Sequence, residues 1–153
     1  MSSPYPPPPP CSSGKGDTPT PAVGATLTAA PGSCDARALL SADDFMIVTA
    51  TLAQRQPDLG WVAAEQLVTE ALKFVAAIAH GATDLVPSTP VDAAWHALIE
   101  NTEIYQRLAA DLGRFVHHYP AVVGTEPPAP GWQARTTAAI EAAGFAIEPE
   151  LWR

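Results

Sequence analysis

The side chains best suited to chemistry lie between Pro87 and Pro120, in the run PSTPVDAAWHALIENTEIYQRLAADLGRFVHHYP. Three of the four histidines are there. Asp92 and His96 are four residues apart, so on a helix they project from one face. That spacing suits two ligands on one metal ion, or a carboxylate that orients an imidazole. His117 and His118 are adjacent, and helical neighbours diverge by about 100°, so only one of them can face the same site as His96. His118, nearer the Pro120 stop, is the favoured one, with His117 beside it. Two or three imidazoles with a carboxylate would hold a divalent ion, zinc or iron, with a coordination position left open. Without a metal, His96 tuned by Asp92 is an acid–base pair, and Tyr119 beside the histidines is a candidate proton donor.

Each of these residues also has a structural explanation. Asp92 completes a Thr-x-x-Asp capping box with Thr89, which accounts for it without any ligand role. His96 beside Trp95 reads equally as a hydrogen-bonded core histidine. The His117–His118 pair would complement the dipole of a helix C-terminus. A phosphate-binding glycine loop, a nucleophile elbow and an HExxH zinc motif are all absent.

The elements that must position these residues are helices. Ser41 and Asp44 form a capping box ahead of a stripe of Phe45, Val48 and Leu52, which stops at Gln56 before Pro57. Asp58 is the expected cap of a second helix to His80, with Trp61, Leu67, Val68, Leu72, Val75 and Ile78 facing the core and Gly81 ending it. Thr89 and Pro90 open a third, whose seam of Val91, Trp95, Leu98, Thr102, Tyr105, Ala109 and Leu112 reads as one long helix. Gly113 would interrupt it before a final turn carrying the histidine pair. Tyr105, nine residues beyond His96 along such a helix, lies too far away to share a small site. After a Pro/Gly linker over 122–131, a last helix runs from Trp132 to Ala143, with Gly144 and Phe145 forming its C-terminal cap. The expected fold is all-α, a compact bundle of four to five helices, with residues 39–153 as the helical domain.

Residues 1–38 are rich in Pro, Ser and Gly and read as a disordered tail, with a polyproline II rod at Pro6–Pro10 that could dock in an aromatic groove. Sixteen acidic against eight basic side chains give a net charge of −8, which argues against nucleic acid and anionic membrane as partners. The tail has neither the basic start nor the apolar run of a signal peptide, and no stretch reaches the length of a membrane span, so the expectation is cytoplasmic. Cys11 and Cys34 read as unpaired tail thiols.

The positions Pro87-Ser88, Val91-Asp92, Trp95-His96, Ile99, Thr102, Tyr105, Gly113 and His117-His118-x-Pro120 form the pattern PSxxVDxxWHxxIxxTxxY followed by GxxxHHxP. It resembles a group of small bacterial proteins similar to the helical region of glycine-rich domain-containing proteins. The likeness covers about 67–124. The resemblance implies Asp92, Trp95, His96, His117 and His118 as signature positions and attaches no activity to them. Many members of the group have a second histidine where this chain has Leu98, and Asp where it has Asn101.

Taken together, these residues lead to the expectation of a divalent-metal-binding helical protein, acting on a small molecule if it is an enzyme. Two rivals stand beside it. One is a non-catalytic interaction module, with a structural histidine network and a partner recruited by the tail or by homodimerisation. The other is the metal-free His/Asp acid–base enzyme.

Overall fold

The computed structural model describes residues 34–120 and 126–153. The described residues form an all-α bundle with no strand among them: α1 (Ala42–Arg55), α2 (Trp61–Ala79), α3 (Thr89–Glu100), α4 (Thr102–Asp111) and α5 (Trp132–Ala142). Short 3-10 helices at Ala36–Leu39 and Pro149–Trp152 close the two ends. The tail expected over 1–38, with its proline run, lies outside the described residues as far as residue 33.

Local chemistry sets the helix ends. Ser41 caps α1 by accepting from the Asp44 amide at 3.1 Å, and Phe45, Val48 and Leu52 are buried as the stripe predicts. α2 is capped by Gly60 rather than Asp58, and Trp61 in its first turn is 46% exposed instead of packed. Its buried face starts at Ala64 and Leu67 and runs through Leu72 and Val75. Gly81 and Gly144 take positive φ values of 107° and 94°, which an L side chain would resist. Behind Gly144, Phe145 donates its amide to the Ile140 carbonyl and is buried.

α2 is the spine, packed against α1, α3 and α5. Phe74 at its centre is fully buried, edge-on to Trp95 at 5.2 Å and 6.1 Å from Trp152. Burying such a ring contributes on the order of 1.5–3 kcal/mol. The C-terminus is tied to this spine by a polar anchor. Trp152 donates its indole N–H to Oε2 of buried Glu70 at 2.8 Å, and Lys73 pairs with the other carboxylate oxygen.

Two expectations around the third helix are corrected. The cap is Ser88, whose hydroxyl accepts from the Val91 amide, so the Thr89–Asp92 box does not form and Asp92 is left free for other partners. The long seam is two helices, broken at Asn101, where ψ is 69°. The Asn101 amide donates to the Ala97 carbonyl at 2.8 Å and to Thr51 on α1 at 3.1 Å. A short side chain that competes for backbone groups and is tied to a neighbouring helix favours a break over continuation.

The histidine pair is not in a final helical turn either. Gly113, at φ 75°, turns the chain out of α4, and 115–120 carries no regular structure. Cys34, expected as a free thiol, is disulfide-bonded. Among the described residues no helix is long and apolar enough to cross a membrane.

Candidate metal centre

Asp92 lies in the first turn of α3, where the aligned backbone dipoles favour a carboxylate. His96 follows one turn later on the same face. The third member arrives from outside the helix. After the Gly113 turn, side chains alternate as in extended chain. Val116 and His118 point inward, while Phe115, His117 and Tyr119 point to solvent.

His118 thereby meets the helix pair. Its Nε2 lies 2.9 Å from Asp92 Oδ1 and 3.1 Å from His96 Nε2, and His96 Nε2 is 3.4 Å from Asp92 Oδ2. The two imidazoles are perpendicular, with centroids 4.4 Å apart. The exposure is graded: the side chain of His118 is 12% accessible, Asp92 37% and His96 45%. The group therefore sits at the surface, with His118 as its inner wall.

Aromatic residues hold that wall. The Trp95 ring stands edge-on to His118 at 4.5 Å. Its indole N–H donates to the Tyr105 hydroxyl at 3.0 Å, and that hydroxyl donates to the Val116 carbonyl at 2.6 Å. Burial pushes the Tyr105 hydroxyl above its ordinary value, with the Trp95 hydrogen bond acting the other way. The group therefore stays protonated and remains a donor at neutral pH.

Of the residues singled out from the sequence, the structure brings Asp92, His96 and His118 together and leaves the others outside. His117 faces away, its ring tilted against those of Phe115 at 4.9 Å and Tyr119 at 6.4 Å. Tyr119 is 85% exposed and touches none of the three. His80 lies apart at the end of α2, with Nδ1 buried and unpartnered. Leu98 is fully buried in the core. Two residues beyond His96 it lies about 200° around the helix, so it does not vacate a place in this group.

The sequence alone sets Tyr105 apart from the site, because the seam from Val91 to Leu112 reads as one continuous helix. Ten residues of unbroken helix would separate it from Trp95 by about 15 Å. The only local signal for the break is Asn101 itself, a weak helix former inside the seam.

Fold and site together define a class: an all-α protein with a surface His–His–Asp group that could hold a metal ion. No protein family, curated protein or solved structure matches the chain.

Proposed function

We propose that this protein binds a divalent metal ion through Asp92, His96 and His118. Zinc or iron suits two imidazoles and a carboxylate, and small-molecule chemistry would use the open side of the ion.

One observation carries this reading: two imidazole nitrogens and the two oxygens of one carboxylate crowd together, and while that carboxylate is ionised no placement of protons satisfies every contact. If both imidazoles donate to Asp92, two N–H groups face each other across 3.1 Å. If only His118 carries a proton on Nε2, its hydrogen is shared between Asp92 and His96, and the His96 lone pair then faces a carboxylate oxygen. If only His96 carries it, the His118 lone pair faces Asp92 at 2.9 Å. With Asp92 ionised, every assignment leaves at least one of these contacts like against like. A cation held by Asp92, His96 and His118 would remove the mismatch, because all three residues would then present lone pairs to it. The spacing is close to what an ion needs: bonds of about 2.0–2.2 Å at tetrahedral angles place ligand atoms about 3.3–3.6 Å apart, and the contacts of 2.9, 3.1 and 3.4 Å lie at or a little below that range.

Partners further out support the same reading. Among the described residues neither histidine of the group is bonded to backbone, as a purely structural network would require; their polar contacts are with Asp92 and each other. A bound ion of this kind lowers the pKa of a coordinated water or polarises a carbonyl. The residues' own work is to bind and orient: Asp92 spans both imidazoles, and His118, packed on Trp95, fixes the inner position.

Elemental analysis of the purified protein tests this, beside His96→Ala, His118→Ala and Asp92→Asn. The expected result is near-stoichiometric metal in the wild type and loss in all three variants. No metal after loading with zinc and iron overturns it.

The metal-free acid–base reading keeps one observation in its favour, the short Asp92–His118 contact. In that case His118 rather than His96 is the oriented imidazole, and any activity is insensitive to chelators.

A further inference from the structure

We propose that Tyr105 is a positioning residue for the metal centre, holding His118 in place without touching the ion. The affinity part of this inference rests on the metal-binding reading above; the positional part does not.

His118 is carried by a segment without regular structure, and such a segment has many conformations that would carry the imidazole away from Asp92. What restrains it is short-range and named. The Tyr105 hydroxyl donates to the carbonyl of Val116, two residues before His118, and Val116 itself is buried. The same oxygen accepts from the Trp95 indole, whose ring packs edge-on against His118. One hydroxyl thus fixes both the main chain that delivers His118 and the ring that backs it. Outer partners that orient a ligand are worth typically 10–100-fold in metal affinity. Tyr105 reaches its ligand through backbone and ring packing instead of a direct bond to the imidazole.

Tyr105→Phe tests the idea, because it removes one oxygen and keeps the ring that fills the core. Thr136→Val is the control. Thr136 is buried, bonds Val86 through its hydroxyl and lies outside the His–Asp group, so it perturbs stability away from the site. Two readings are taken. The first is the ring-current shift of the His118 ring protons caused by Trp95, measured by NMR in chelator at fixed pH. The second is zinc affinity by competition with a chelating dye.

Tyr105→Phe is expected to move the His118 signals toward unshifted positions and to weaken zinc binding about 10–100-fold, while Thr136→Val changes neither. Unchanged signals and affinity in Tyr105→Phe, or equal losses in the control, overturn the inference. If the wild type binds no zinc but Tyr105→Phe still releases His118, the positioning role stands and the metal reading falls. A second measurement needs no variant. In the wild type the Tyr105 hydroxyl proton should exchange slowly and show a contact to Val116; a freely exchanging hydroxyl overturns the proposal.

Discussion

His118 and Trp95 meet edge to face at 4.5 Å, and this contact divides the two histidines of the site into unequal partners. His118 is nearly covered, whereas His96 on the open face of α3 is almost half exposed. Replacing each by Ala should therefore have different effects on the metal-free protein. His118→Ala is expected to lose about 1–2 kcal/mol of stability, from lost packing and the Asp92 hydrogen bond. His96→Ala should change stability by no more than about 0.5 kcal/mol. Urea unfolding in chelator measures both, and equal losses would contradict the asymmetry.

The Glu70 carboxylate is enclosed between Lys73 and Trp152, with an oxygen committed to each. Glu70→Ala leaves a largely buried ammonium unpaired and should cost about 3–5 kcal/mol. Trp152→Phe leaves one carboxylate oxygen without its donor, for about 1–3 kcal/mol. The double variant should lose less than the sum of the two, because both remove the same bond. Additive losses in denaturant titrations would show that the anchor is not a unit.

Ser88 does two jobs with one hydroxyl. It accepts from the Val91 amide at the start of α3 and donates to the Leu151 carbonyl near the C-terminus. Ser88→Ala is expected to destabilise by about 1–2 kcal/mol. Hydrogen exchange should quicken both in the first turn of α3 and in Pro149–Trp152. Acceleration at the helix start alone would remove the link to the C-terminus.

Burial holds the His80 imidazole below its ordinary value of 6.5. A depressed folded value means that the unfolded chain takes up a proton first as the solution is acidified. His80's contribution is thus full above about pH 6.5, declines as pH falls below it, and levels off once the folded imidazole also protonates. The stability difference between wild type and His80→Gln should therefore shrink or reverse between pH 7.5 and pH 5. A difference independent of pH in chelator would contradict this.

Much of the helical framework could be read locally. The Ser41 cap, the Phe45–Val48–Leu52 stripe and the Gly81 and Gly144 stops each depend on residues within a turn or two of one another. The start of α2 is not legible in the same way, because Gly60 serves as the cap with no side-chain bond to mark it. The break at Asn101 is hidden from a local reading, because one of its partners, Thr51, lies 50 residues away on another helix.

The sequence by itself determined that Asp92 and His96 share a face, because four residues of helix place them there whatever the rest of the chain does. It favoured His118 over His117 for its place beside the Pro120 stop, but it held no side-chain direction that would fix the choice. That choice depends on the direction of side chains in a segment outside any helix, where the helical period no longer applies. Only the tertiary structure decided it: the break at Asn101 lets Tyr105 reach Trp95 and Val116, and the Gly113 turn carries His118 back across 26 residues to Asp92. A helical pair is fixed by local geometry; the third member of the site is fixed by packing.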